Sequence, residues 1–191
     1  MSKGKIFILS GPSGSGKTTL YKKLLSQTPH VAKSISATTR PKRSGERHGR
    51  DYLFISPKMF AHKRRKGHFL ESMKVFDNYY GTPAKNVRDL LKQGKNVLLC
   101  IDVKGAKVVR RKFPQAVSIF VKAPSLAVLK KRLKSRGSED PATAALRLKV
   151  AREELKQAKT YKYVIVNDRL DHAFRMLKRI VAQETGNGAK P

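Results

Sequence analysis

Acidic side chains are scarce in this chain: 13 Asp and Glu stand against 43 Lys and Arg in 191 residues, a formal net charge of +30. That imbalance predicts non-specific attraction to nucleic acid, anionic membranes or other polyanions, and carries no information about fold. A proteome that favours basic residues and a surface engineered for charge both account for it, each with more weight than evolved nucleic-acid recognition. Tryptophan is absent, and the single cysteine is Cys100. One cysteine excludes an intramolecular disulfide framework and suits a reducing cytoplasm. Inside the apolar run "NVLLCID" it reads as a small buried hydrophobe rather than a reactive thiol. No apolar run approaches the roughly 18 residues that a membrane helix needs. The opening "MSKGKIFILSG" has too short an apolar stretch for a signal peptide and no cleavage-site pattern. A soluble, cytoplasmic protein is expected, most simply one domain with room for lobes or a lid.

What is present alternates. Short apolar runs at 5–10, 96–102, 116–122 and 163–168 read as buried parallel strands, and helical spacing falls between them at 17–27, 83–93, 104–113, 125–135 and 169–183. That is the α/β signature. Residues 34–80 break the pattern with β-prone stretches, "SISATT", "DYLFIS" and "FLESMKVF", around a basic helical piece, "PKMFAHKRRK". They predict a small α+β insertion. Gly and Pro in "RGSEDPATAAL", 136–146, predict a mobile flap, and "ETGNGAKP" a frayed tail. No internal repeat or low-complexity tract occurs.

"GPSGSGKT" at 11–18 matches G-x-x-x-x-G-K-[ST] directly after a predicted strand and before a predicted helix. In such a loop the backbone of Gly11, Pro12, Ser13, Gly14, Ser15 and Gly16 wraps around phosphate oxygens and turns its N–H groups, which Pro12 alone lacks, toward them. Lys17 reaches the β and γ phosphates, the Thr18 hydroxyl ligates Mg²⁺, and the helix N-terminus, with Thr19 next in line, adds partial positive charge. Asp102, after "VLLCI", occupies a position where a carboxylate holds magnesium or its waters; a plain helix cap is the competing reading. ATP with Mg²⁺ is the implied cofactor.

The acceptor is read from the insertion. "TTRPKR" carries Arg40 and Arg43 around a stiffening proline, and guanidinium forks match phosphate in a way lysine does not. Tyr52 and Tyr80 add phenolic donors. Glu71, in an otherwise apolar stretch, suits a base that presents paired N–H donors, as guanine does; a strand carboxylate paired with a nearby cation is an equal reading.

These stretches together resemble the guanylate kinases. "LSGPSGSGKTTL", "SISATTRPKRSGERHGRDYLF", "NYYGTP", "IDVKGA", "RLKSRG" and "VIVND" carry the resemblance over most of the chain, from about Lys5 to about Ala182. It implies a phosphate-loop NTPase fold of the α/β class: a three-layer core with a parallel sheet (1–33, 84–135 and 148–184), a small α+β GMP-binding lobe (34–83) and a lid (136–147), followed by a tail (185–191). It implies transfer of the γ-phosphoryl group of ATP to GMP, and to dGMP. Arg40, Arg43, Tyr52 and Tyr80 match positions that hold the GMP phosphate; Ser36, Glu71 and Thr82, beside Gly81, match those that read guanine. Asp102 matches the acid at the active-site strand end. Arg132, Arg136 and Arg147 match lid-side arginines that approach the phosphates, and Asn167 matches a residue lining the adenine pocket. Lys17, Arg40, Asp102, Arg136 and Arg147 are the expected catalytic set.

The chain departs from the family at Cys100, where a second acid is usual, at Lys104 for glutamine, at Ser72 for tryptophan, and in the acid-poor lid. Two other classes of function compete: a phosphopeptide-binding module of the same fold, against which the intact phosphate loop speaks, and a loose polyanion binder supported by charge alone. A monomer or weak oligomer, with no membrane partner, is expected.

Overall fold

The computed structural model describes residues 4–134 and 141–186. Its centre is a five-stranded, all-parallel sheet with strand order β2-β7-β1-β8-β9. The strands are β1 (Ile6–Ser10), β2 (Val31–Lys33), β7 (Asn96–Cys100), β8 (Val117–Lys122) and β9 (Tyr163–Val166). All five residues of β1 are buried, because helices cover both faces of the sheet. Phe7 and Leu9 point to one face, where Leu20 and Leu24 of α1 (Lys17–Gln27) and Phe174, Leu177 and Val181 of α7 (Leu170–Thr185) meet them. Ile6 and Ile8 point to the other, against Val87 of α3 (Ala84–Lys92) and Ala106 and Val109 of α4 (Val103–Lys112). The strands and helices expected here lie within two residues of those observed. Strand β2 was not anticipated, since three residues are too few to show a period.

A second sheet, ordered β4-β3-β6-β5, forms the smaller lobe. It comprises β3 (Ala37–Thr38), β4 (Leu53–Phe54), β5 (Phe69–Val75) and β6 (Asn78–Pro83), with helix α2 (Pro57–Arg65) alongside. Strands β5 and β6 pair antiparallel, Glu71 opposite Thr82, with an irregularity between Phe69 and Glu71. Strict alternation would send neighbouring side chains to opposite faces. The bulge takes Leu70 out of the ladder, so that Phe69 and Glu71 oppose the adjacent Pro83 and Thr82; Leu70, at 7% exposure, joins the main core and Glu71, at 5%, faces the cleft.

Helix α5 (Leu126–Lys134) leads toward α6 (Pro141–Lys156). The flap expected at 136–146 is therefore corrected in its second half: from Pro141 onward the chain is helical. Proline read there as a breaker opens the helix instead, since its missing N–H costs nothing in the first turn. Ala, Leu, Arg and Glu then carry the helix forward. The first part of the expected lid, with Arg136, and the tail beyond Gly186 lie outside the described residues. Among the described residues no helix is long and apolar enough to cross a membrane.

Candidate active site

Parallel pairing of β1 with β7, Leu9 opposite Cys100, brings the loop after β1 beside the residues after β7 at the carboxyl edge of the sheet. A cleft of about 400 Å³ opens there. Its floor is the Gly11–Thr18 loop with Cys100 and Asp102; its walls are the β3–β6 lobe and α6.

The loop is built for close approach. Gly16 has φ 89°, and a β-carbon there would lie 2.1 Å from Nδ2 of Asn167, so no other residue fits. That Asn167 amide donates to the Ser15 carbonyl at 2.8 Å, and Arg132 Nη2 donates to the Asn167 carbonyl at 3.0 Å. Asn167, expected at the adenine pocket, is 5% exposed, and its side chain fastens the phosphate loop. Lys17 Nζ spans the loop, donating to the carbonyls of Gly11 at 2.6 Å and Pro12 at 2.8 Å. The cleft is lined by Gly11, Ser13, Gly14, Gly16, Lys17 and Thr18 of this loop, while the Ser15 hydroxyl is buried beneath them with no hydrogen-bond partner.

Asp102 divides its carboxylate. Oδ1 caps α4, accepting from the backbone N–H of Lys104 at 2.7 Å and of Gly105 at 2.9 Å. The competing cap reading is thus correct for this oxygen, while Asp102 as a whole lines the cleft with Thr18. Among the described residues no group of three or more His, Cys, Asp or Glu is placed to hold a metal. Two hard oxygen donors fit a magnesium ion that takes its other ligands from substrate phosphates and water.

The smaller lobe presents Arg40. Thr38 Oγ1 donates to the Tyr79 carbonyl at 3.0 Å and accepts from the Arg40 N–H at 3.2 Å, and Thr39 Oγ1 accepts from the Tyr79 N–H at 2.9 Å. The threonines of "TTR" therefore stitch β3 to β6 and fix where the arginine leaves the sheet. Its guanidinium is held edge-on by Glu46, Nη1 to Oε2 at 2.9 Å and Nη2 to Oε1 at 2.8 Å, and Nη1 also donates to the Pro41 carbonyl at 2.6 Å. Glu46 accepts the Arg43 N–H as well, at 2.8 Å. The paired charges hold Arg40 above and Glu46 below their ordinary pKa ranges, chiefly through this bond. The Arg40 fork, expected to clasp phosphate outright, is thus partly committed inside the protein. Glu46 and Pro41 take three of its five N–H donors, and the Tyr80 side chain bonds the same guanidinium. The rings of Tyr52 and Phe54 lie 5.4 and 5.6 Å from its guanidinium carbon, and Tyr80 meets Tyr52 edge-on at 6.1 Å. Ser36 and the exposed Arg43 line the same cleft.

Glu71 stands deeper. Thr82 Oγ1 donates to its Oε1 at 2.6 Å. Burial first, then the nearby Asp102 charge, push its carboxyl up to about 7, with the Thr82 bond opposing. Its Oε2 lies where a β-carbon on Gly105 would come within 2.7 Å, so the glycine opening α4 makes room for the acid. Among the described residues the hydrogen-bond partner of Glu71 is the neutral Thr82 hydroxyl, and the Lys112 charge acts on it without a bond. Glu154, on the α6 wall, is likewise pushed up to about 7 by burial and by Asp102. Burial also raises the Cys100 thiol, with Lys17 opposing.

Sequence reasoning singled out neither Glu154 nor the threonines. Glu46 does stand out in the sequence, with Glu71 and Asp102, as an acid on a motif position in a chain with 13 acids in all.

A glycine-rich anion loop facing a basic, tyrosine-lined lobe is what comparison with known proteins must account for. The guanylate kinase family model matches residues 3–184. The chain belongs to the guanylate kinase family. A guanylate kinase of Symbiobacterium thermophilum is 45% identical over 182 residues, covering 95% of this chain and 86% of the relative. One from Nitrosospira multiformis is 44% identical over 187 residues, covering 98% and 89%. The crystal structure of guanylate kinase from Anaplasma phagocytophilum superposes with a TM-score of 0.81 at 34% identity, over 96% of this chain and 87% of that one. The family's α/β fold with a parallel sheet is the fold described above.

Proposed function

We infer that the chain is an ATP:GMP phosphotransferase, and that its cleft holds both nucleotides at once. The observation that carries the assignment of roles is the meeting, on one cleft, of a complete phosphate loop with Thr82-anchored Glu71 and Glu46-anchored Arg40. ATP lies with its phosphates in the Gly11–Thr18 loop. GMP lies on the smaller lobe, its phosphate toward Arg40, Arg43, Tyr52 and Tyr80, its guanine toward Glu71, Thr82 and Ser36. Ionised Glu71 accepts the ring N–H and amino N–H of guanine, a pair of donors that adenine does not present.

Thr18 and Asp102 would hold a magnesium ion, which would supply positive charge to offset that of the transferring phosphoryl group. Lys17 and Arg147 add positive charge where the equatorial oxygens of the transition state spread theirs, and Arg136 is assigned the same task. No general base is required, because the GMP phosphate is already ionised near neutral pH. Helix α6 and the lobe bound the cleft on two sides; their approach would exclude water and spare ATP from hydrolysis.

A coupled assay with ATP and Mg²⁺ tests this by comparing GMP, dGMP, AMP, CMP and UMP. GDP and dGDP formation with the other acceptors near background is the expected pattern. No GDP at all would leave the phosphopeptide-binding reading in its place. Non-specific polyanion association follows from the +30 charge, and should collapse steeply as salt rises because it rests on counterion release. A cytoplasmic site of action fits the single cysteine.

A further inference from the structure

Phosphoryl transfer as described gives no task to the turn joining β5 to β6, yet that turn holds a strained aromatic residue. Phe76 has φ 51°, the one positive φ outside glycine among the described residues. A bulky side chain crowds its own backbone there, and Asn or Gly would sit with less strain. The ring is also 38% exposed, so burial in a core does not explain its presence. What it touches lies on α6: the Arg147 guanidinium carbon is 5.0 Å from the ring centroid. Phe76 and Arg147 both line the nucleotide cleft, one from the acceptor lobe and one from the helix facing it.

We propose that Phe76 is a positioning residue, whose ring seats the Arg147 guanidinium at the mouth of the cleft so that it meets the transferring phosphoryl group. The proposal rests on the phosphotransferase reading and on the role given there to Arg147. The choice of a ring has a physical logic. A carboxylate fixes an arginine by taking its edge N–H groups and cancelling its charge, as Glu46 does to Arg40. An aromatic face fixes it through the flat side of the guanidinium and leaves both charge and edge out of the contact. The clamp arginine that holds a bound monophosphate tolerates the first arrangement. For an arginine acting on charge that develops in the transition state, a hold on its flat face adds positioning without drawing on its charge.

Three substitutions at Phe76 and one at Arg147 test the proposal. Phe76→Asn keeps a residue at ease with positive φ but removes the ring. It should lower kcat about threefold to thirtyfold, with KM for GMP within about twofold of the parent. Phe76→Tyr should restore kcat. A parental kcat for Phe76→Asn overturns the proposal. So does a rise in KM for GMP with kcat intact, because Glu71, Tyr80 and Thr82 share the hairpin and a merely structural role would act through them. Independently of turnover, Phe76→Trp introduces one indole into a chain that has no tryptophan. Adding Arg147→Ala to it should shift the emission; an unchanged spectrum means that the contact does not form. A parent chain that makes no GDP defeats the activity reading, while the fluorescence pair still reports on the contact itself.

Discussion

Titration of GMP binding isolates Glu71. Burial holds its carboxyl near 7 in the free protein, whereas the donors of guanine select the carboxylate. Apparent affinity is the intrinsic affinity multiplied by the ionised fraction, which runs from about a tenth at pH 6 to about nine tenths at pH 8. GMP binding should therefore tighten about tenfold over that interval and release about half a proton at pH 7. The GMP phosphate titrates in the same region, near pH 6, and would itself strengthen binding to arginines as pH rises. Glu71→Gln separates the two: it keeps the phosphate term and abolishes the carboxyl term. Isothermal calorimetry in two buffers of different ionisation enthalpy reads both affinity and proton release. The variant should also lose about a hundredfold in kcat/KM for GMP, since a carboxamide turns an N–H toward a guanine donor. Parent and variant with the same pH slope and the same proton count, or a variant with undiminished preference for GMP over AMP, would refute the argument.

The same carboxyl sets a stability trend. Its folded pKa lies above its ordinary value of 4.5, so the native state binds the extra proton and Glu71's contribution falls as pH rises from about 4.5 to about 7. Glu71→Gln should accordingly raise the melting temperature more at pH 8 than at pH 5, by up to about 3 kcal/mol of stability; calorimetry at the two pH values checks it. Arg40→Lys conserves charge but leaves one bond where the fork made two. GMP affinity should drop about tenfold and stability by about 1 kcal/mol; unaltered binding in a titration would remove Arg40 from the clamp. Gly105→Ala should help a helix by roughly 1 kcal/mol on propensity alone, yet the new β-carbon would meet Glu71 Oε2 at 2.7 Å. Net destabilisation in chemical unfolding and a raised KM for GMP, with KM for ATP little changed, are expected.

Strand and helix periods made the central sheet readable, because its strands are buried on both faces and its helices alternate with them. The phosphate loop was readable for a different reason: its chemistry demands fixed residue types at fixed spacing. The rest depended on long-range geometry. Nothing local shows that Asn167 reaches back to Ser15, 152 positions away, or that Glu154 faces Lys17 and Asp102. Pro141 misled because a proline that ends one helix and a proline that starts another look alike without their neighbours. Phe76 gave no signal, since a backbone angle is not written in composition.

The bulge ahead of Glu71 ties acceptor choice to strand pairing. Glu71 and Thr82 face each other across one rung of the hairpin, a register held by the unbroken pairs from Ser72–Gly81 to Val75–Asn78, and the extra residue Leu70 drops out of the ladder just before it. Deleting one residue between Glu71 and the turn would slip that register by one place and, on the proposed reading, send the reader of the base to the other face of the sheet. On the proposed reading, discrimination between purines is a matter of counting along a strand: the hairpin acts as a ruler, and the carboxylate is the mark on it.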